Sequence, residues 1–252
     1  MTFFSVSGLG MSFGGNKVVD RVGFEVSQGE VFALIGPNGA GKTTIFNLIS
    51  RIYDATEGVL TFRDQDITRV PAHRVARLGI ARTFQNIELF ENATLLRNLL
   101  VGRHVHSRSN LLSDGLFTRS VRDAELRHRE KVEDVIDFLD LQRFRDKPIR
   151  DLPYGVRKVT EIARALCMEP ALILLDEPSS GLNPEETEDL AFWIHDITKL
   201  RGITVLLVEH DMRLVSEVSD TVLAINSGRM LAIGKPDEVL NDPEVARAYL
   251  GA

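Results

Sequence analysis

The sequence predicts an α/β fold, a mostly parallel sheet with an antiparallel β part toward its N-terminal end and a helical segment inserted in the middle. Three observations carry this. Short apolar runs, Val31 to Ile35, Leu172 to Leu175, Val205 to Val208 and Val222 to Ile225, have the character of strands buried on both faces, and helical spacing alternates with them. A glycine-rich octapeptide, Gly36 to Thr43, directly follows the first of these runs and opens a helical pattern. From about Thr94 to Leu166 strand signals nearly vanish and helical ones dominate.

The elements follow in order. Phe3 to Ser7 and Val22 to Ser27 read as strands, and Gln28-Gly29 is the turn into Val31 to Ile35. After the octapeptide, Ile45, Leu48 and Ile49 recur at helical spacing, and Val59 to Phe62 returns to strand. In the helical segment Val132, Val135, Ile136 and Leu139 fall at i, i+3, i+4 and i+7, one apolar face of a helix. His104 to Ser120, rich in Ser, Arg and His, reads as a solvated loop. Residues 1–252 are expected to form one domain, with 1–93 and 167–252 as the α/β core and 94–166 as the inserted helical part.

At 252 residues, 44% hydrophobic and 26% charged, the chain is long enough for a sizeable core and is neither disordered nor collagen-like. A net charge of -6 disfavours a nucleic-acid partner held by phosphate neutralisation. The single cysteine, Cys167, cannot form an internal disulfide, and no charged n-region with an apolar h-region precedes Leu9, so a cytosolic location is expected. The apolar runs fall far short of the roughly 20 residues that span a bilayer, so any membrane contact is expected to go through a partner.

Gly36-Pro37-Asn38-Gly39-Ala40-Gly41-Lys42-Thr43 matches G-x-x-x-x-G-K-[ST] in the context the motif requires, after a buried strand and before a helix. Glycines let the backbone curl so that N–H groups and the helix N-terminus face phosphates. Lys42 is placed for the β- and γ-phosphates and the Thr43 hydroxyl for Mg²⁺. Leu172-Ile173-Leu174-Leu175-Asp176-Glu177 puts two acids at the carboxyl end of a buried strand, the edge where α/β sheets bind ligands. Asp176 suits a metal-holding role and Glu177 that of a general base toward water. His210 ends another apolar strand on the same edge, where an imidazole could bond a γ-phosphate, although a lone strand-end histidine is more often structural. Asn183, Pro184, Glu185 and Glu186 reproduce a capping box with acids at the positive end of a helix.

In this order the pieces resemble the ATP-binding cassette family over essentially the whole chain. The resemblance implies a P-loop NTPase core of RecA-like type, ATP and Mg²⁺ as ligands, and ATPase activity. It implies nucleotide binding by Phe13, Gly36, Pro37, Asn38, Gly39, Ala40, Gly41, Lys42, Thr43 and Thr44, with Phe13 stacking on adenine; unaided, Phe13 reads as a core residue. Gln85, within Thr83-Phe84-Gln85, matches the glutamine that senses γ-phosphate and metal, so the implied metal set is Thr43, Gln85 and Asp176, and the implied catalytic set Glu177, His210 and Gln85. Leu152, Pro153, Tyr154, Gly155 and Val156 occupy the signature position, which in the family addresses the ATP held by a second cassette. Here Pro153 stands for the usual serine, Val156 for the glutamine, and Asn183 for the aspartate of the later loop. Proline has neither hydroxyl nor N–H, so the contribution in trans falls to backbone and helix dipole, and a functionally asymmetric pair stays open.

Phe13-Gly14-Gly15, Leu-Pro-Tyr-Gly, Gly181-Leu182-Asn183-Pro184, the segment with Gly115-Leu116-Phe117, and Arg247-Ala248-Tyr249-Leu250-Gly251 are similar to the ATPase subunits of bacterial branched-chain amino acid importers. That implies a second cassette, identical or paralogous, a membrane permease docked after Gln85 over roughly Asn86 to Leu100, an indirect periplasmic binding protein, and a place on the cytoplasmic face of the inner membrane. Urea and other amide importers and lipopolysaccharide exporters have similar ATPases and stay open. A non-transport cassette acting on DNA or ribosomes is disfavoured by the acidic balance and the lack of a second cassette. A small-molecule kinase leaves Leu152 to Val156 and His210 unexplained.

Overall fold

The computed structural model describes residues 2–106 and 119–250, with side chains of the second stretch described from residue 122. Most of His104 to Ser120, including Gly115 to Phe117, and Gly251 therefore lie outside the described residues. The chain divides into two compact units, Met1–Gln85 with Ala171–Ala252, and Asn86–Pro170.

The first unit holds two sheets. Strands β1 (Phe4–Phe13), β2 (Asn16–Val26), β4 (Glu57–Phe62) and β5 (Gln65–Asp66) form an antiparallel sheet in the order β2-β1-β4-β5. β1 runs beyond the Ser7 expected from its sequence and β2 begins before Val22. Register shifts between Val6 and Leu9 and between Leu9 and Met11 break the two-residue alternation on which a strand is recognised, so the pattern fades where the pairing does not.

The second sheet has the order β10-β9-β3-β8-β7-β6, from β3 (Val31–Ile35), β6 (Ile80–Arg82), β7 (Leu172–Asp176), β8 (Thr204–Val208), β9 (Thr221–Asn226) and β10 (Arg229–Gly234). All neighbours are parallel except β10, which runs antiparallel to β9. Every residue of β3, β7 and β8 is buried, as strands covered on both faces require, the polar Asp176 and Thr204 at their ends included. Three-residue β6 and the half-buried edge β10 leave no such run, and the sequence pattern does not reveal them. Helices α1 (Lys42–Ile49), α2 (Ala72–Leu78), α6 (Pro184–Lys199), α7 (Met212–Val218), α8 (Pro236–Leu240) and α9 (Pro243–Leu250) complete the unit. The predicted capping box at α6 is present: Glu186 N–H donates to Asn183 Oδ1 at 2.9 Å, and Asn183 N–H donates to Glu186 Oε2 at 3.0 Å.

The second unit is built on α3 (Leu95–Gly102), α4 (Arg119–Phe138) and α5 (Tyr154–Leu166). Val132, Val135, Ile136 and Leu139 are all buried, the single face expected of α4 and its C-terminal end. Asn98, wholly buried on α3, ties the preceding loop down: its Oδ1 accepts Phe90 N–H at 2.8 Å and its Nδ2 donates to Phe90 O at 3.1 Å. The unit ends at Pro170 rather than Leu166 because Arg103 Nη1 holds the chain beyond α5, donating to Cys167 O at 2.6 Å and Glu169 Oε2 at 2.9 Å. Among the described residues no helix is long and apolar enough to cross a membrane.

Candidate functional site

Parallel register places the site. Leu34 of β3 and Asp176 of β7 both pair with Val208 of β8, and Ile35 pairs with Ala224 of β9. The segments beginning at Gly36, Glu177 and Glu209 therefore leave the sheet at one edge, outside its carboxyl ends, where ligands bind in open α/β sheets.

The glycine loop is held tightly. A Cβ on Gly36 would lie 2.3 Å from Ile225 O, so the backbone of β9 leaves no room for a side chain. Gly41, at φ 102°, is the N-cap of α1, and a Cβ there would meet Val18 O at 2.9 Å. The turn after β9 closes the other side, with Gly228 N–H donating to Ala40 O at 2.9 Å. Lys42 is buried, and its Nζ donates to Gly36 O at 2.7 Å and Pro37 O at 3.1 Å. Desolvation lowers its pKa, and Glu177 and Asp176 work against that shift. Pro37 and Ala40 are buried, Thr44 is half-buried, and Asn38, Gly39 and Thr43 are exposed, so the Thr43 side chain is open to a ligand.

Glu177 follows the last residue of β7 in a left-handed conformation, φ 49°, rare for a residue with a Cβ. That turn carries its carboxylate between two strand ends. Gln85 Nε2 donates to Glu177 Oε2 at 2.7 Å, and the His210 Nε2–H donates to Oε1 at 2.8 Å. Gln85, Glu177 and His210, far apart in the sequence, thus form one cluster.

Asp176, at the same edge, is enclosed. Its carboxylate is 2% exposed, and Oδ2 accepts from Arg82 Nη2 at 2.8 Å. Burial raises its pKa, and the bond and charge of Arg82 oppose the rise. Oδ1 is buried with no hydrogen-bond partner among the described residues. A buried orphan oxygen carries a desolvation cost that a further ligand would remove. This oxygen and the exposed Thr43 hydroxyl are hard donors that fit Mg²⁺. Among the described residues no group of three or more His, Cys, Asp or Glu could hold a metal by itself.

Phe13, at the end of β1, is 43% exposed with its ring 5.4 Å from that of Tyr53 in an edge contact, so it is not the core residue it resembles in isolation. In the second unit, Pro153 is the N-cap of α5 with no side-chain cap, Leu152 and Gly155 are buried, Val156 is half-buried and Tyr154 is exposed.

Sequence reasoning missed Arg82, Glu209 and Tyr53. Glu209 is buried at the end of β8 and accepts Ser179 N–H at 2.8 Å on one oxygen and His210 N–H at 2.9 Å on the other, joining the loop after Glu177 to the histidine segment. An acid ending an apolar strand was the available signal, the same that marks Asp176. For Arg82 the signal was weaker, a lone cation closing Ile80-Ala81-Arg82 three residues before Gln85.

Residues 19–180 match the family model described as ABC transporter, and residues 229–252 match the one described as branched-chain amino acid ATP-binding cassette transporter. The chain is 42% identical over 247 residues to the high-affinity branched-chain amino acid transport ATP-binding protein BraF of Pseudomonas aeruginosa, covering 98% of this chain and 96% of that one. It is 40% identical to LivG of Escherichia coli, a protein of the same description, covering 98% and 97%. A crystal structure of a nucleotide-free ATP-binding cassette from an ABC transporter superposes with a TM-score of 0.87 at 30% identity, covering 100% of both chains. With the glycine loop, the carboxylates and the histidine gathered on one sheet edge, the chain belongs to the ABC transporter family of ATP-binding cassettes.

Proposed function

We propose that this chain binds and hydrolyses ATP with Mg²⁺ as the motor subunit of a branched-chain amino acid importer. The observation that carries the chemistry is the Gln85–Glu177–His210 cluster beside a preformed phosphate loop. The relatives BraF and LivG, both branched-chain amino acid transport ATP-binding proteins, support the cargo class.

The loop's backbone N–H groups, the N-terminus of α1 and Lys42 receive the phosphates, with Lys42 exchanging its bonds to Gly36 O and Pro37 O for phosphate oxygens. Thr43, Gln85 and Asp176 would hold the Mg²⁺, which when bound would supply neutralisation of phosphate charge. Phe13 offers its exposed face to adenine. Each Glu177 oxygen keeps a second lone pair beyond the bond from Gln85 or His210, so the carboxylate can accept the proton of an attacking water. The water oxygen bonds to the γ-phosphorus, the bond to the β-bridging oxygen breaks, and ADP leaves with that electron pair.

Leu152 to Val156 act on the ATP of a second cassette, mainly through the Gly155 backbone and the dipole of α5. The segment Asn86 to Leu100 receives the permease, with the subunit on the cytoplasmic face of the membrane. Residues 1–252 act as one cassette domain in this reading. The test is Glu177→Gln: steady-state ATPase activity should fall by about 10²–10⁴-fold while binding of a fluorescent ATP analogue persists. Retained turnover would refute the base assignment.

A further inference from the structure

Arg82 closes β6 at the foot of the segment that carries Gln85. Its side chain is 7% exposed, with the guanidinium lying 5.6 Å from the Phe46 ring and 5.3 Å from the Phe84 ring. Nη2 donates to Asp176 Oδ2 at 2.8 Å, while Nη1 donates to Asn47 Oδ1 at 2.7 Å and Ser50 Oγ at 2.9 Å. One planar group thus joins three pieces of the site: the strand before Gln85, the helix after the phosphate loop, and the strand that ends in Asp176.

The form of this contact argues against a bond made for stability alone. An arginine that only neutralises a buried carboxylate does best in a two-pronged pairing that fills both oxygens. Here a single prong reaches Asp176. Asp176 Oδ1 and Arg82 Nε are both left buried without a partner among the described residues, which costs desolvation at each atom. The other prong is spent on α1, and the two aromatic rings limit how the plane can turn. The arrangement fixes rotation of the Asp176 carboxylate and leaves one defined oxygen free.

We propose that Arg82 is a positioning residue for the metal, anchored through Asn47 and Ser50 to the phosphate-loop helix so that Asp176 presents Oδ1, and only Oδ1, to the Mg²⁺ of MgATP. This rests on the assignment of Asp176 to the metal in the proposed function. Asn47 and Ser50, which touch neither phosphate nor metal in this reading, become part of the metal's support. Outer partners of metal ligands typically change metal affinity by about 10–100-fold when removed.

The experiment separates metal from nucleotide. Binding of a fluorescent ATP analogue is titrated in EDTA, and the half-saturating Mn²⁺ is then measured by electron paramagnetic resonance with a non-hydrolysable ATP analogue, for the parent chain, Arg82→Met, Arg82→Lys, Asn47→Ala/Ser50→Ala and Asp176→Asn. Arg82→Met should bind nucleotide in EDTA within about twofold of the parent while its half-saturating Mn²⁺ rises about tenfold or more. Asn47→Ala/Ser50→Ala, which keeps the ion pair but loses its anchor, should raise it several-fold. A purely structural role would move both titrations together or neither, and either result overturns the proposal. Should Arg82→Met fail to fold, Arg82→Lys decides: lysine keeps the charge but cannot fork to α1 and Asp176 together, so a rise in half-saturating Mn²⁺ supports the proposal and none overturns it. If Asp176→Asn leaves the Mn²⁺ requirement unchanged, the metal assignment itself falls; if Asp176→Asn raises it and no Arg82 variant does, only the role of Arg82 falls.

Discussion

Replacing Glu209 by glutamine tests how the site is held together from behind. The side chain is 1% exposed at the end of β8, and its two oxygens serve different backbones. Oε1 accepts Ser179 N–H at 2.8 Å; Oε2 accepts His210 N–H at 2.9 Å and Asp211 N–H at 3.3 Å. Glutamine has one acceptor oxygen. Its amide NH₂ must then face either Ser179 N–H or the His210 and Asp211 pair, donor against donor. A hydrogen bond to a charged group contributes about 1.5–3 kcal/mol, and a stranded buried donor costs about 1–3 kcal/mol, so the variant should lose roughly 2–4 kcal/mol. Urea unfolding of the nucleotide-free chain measures this as a lower midpoint at unchanged slope. Glu209→Ala, which strands all three donors, should lose more. A loss below about 0.5 kcal/mol in Glu209→Gln would refute the reasoning, since surface substitutions alone reach that size.

Three other outcomes follow from the geometry. Gly36→Ala puts a Cβ 2.3 Å from Ile225 O, so the phosphate loop must shift; affinity for a fluorescent ATP analogue should drop at least about tenfold, and an unchanged titration would contradict the packing described. Asn183→Ala removes one half of the capping box on α6 and should cost about 1 kcal/mol by urea unfolding, with no change counting against the cap. Burial pushes the Cys167 thiol up to about 12 from an ordinary 9.0, so a thiol reagent at pH 8 should react with the unfolded chain and hardly with the folded one. Between those values the folded chain keeps a proton that the unfolded chain loses. Stability relative to Cys167→Ala should therefore be full below pH 9 and fall as pH rises toward 12, on the order of 1 kcal/mol per pH unit; a rise with pH would refute it.

Much of the site is legible in the chain because its chemistry is local. Gly36 to Thr43 shapes its loop through its own backbone, and four apolar residues before Asp176 suffice to place the acids at a strand's carboxyl end. The α6 cap and the apolar face of α4 follow from spacings of three and four residues for the same reason. Register shifts in β1 hid its true length, and three-residue β6 carries too few residues to show a period.

Sequence alone therefore determined the sheet's buried strands, the phosphate loop and the acid pair, all of them set by neighbours within one turn or one strand. Only the tertiary structure decided what those residues face. Arg82 meets Asp176 across 94 positions, Gln85 meets Glu177 across 92, and Glu209 meets Ser179 across 30. Such contacts are fixed by the strand order β3-β8-β7-β6 and its register, which bring distant strand ends to one edge. No local period encodes that order, because it results from burying every strand at once.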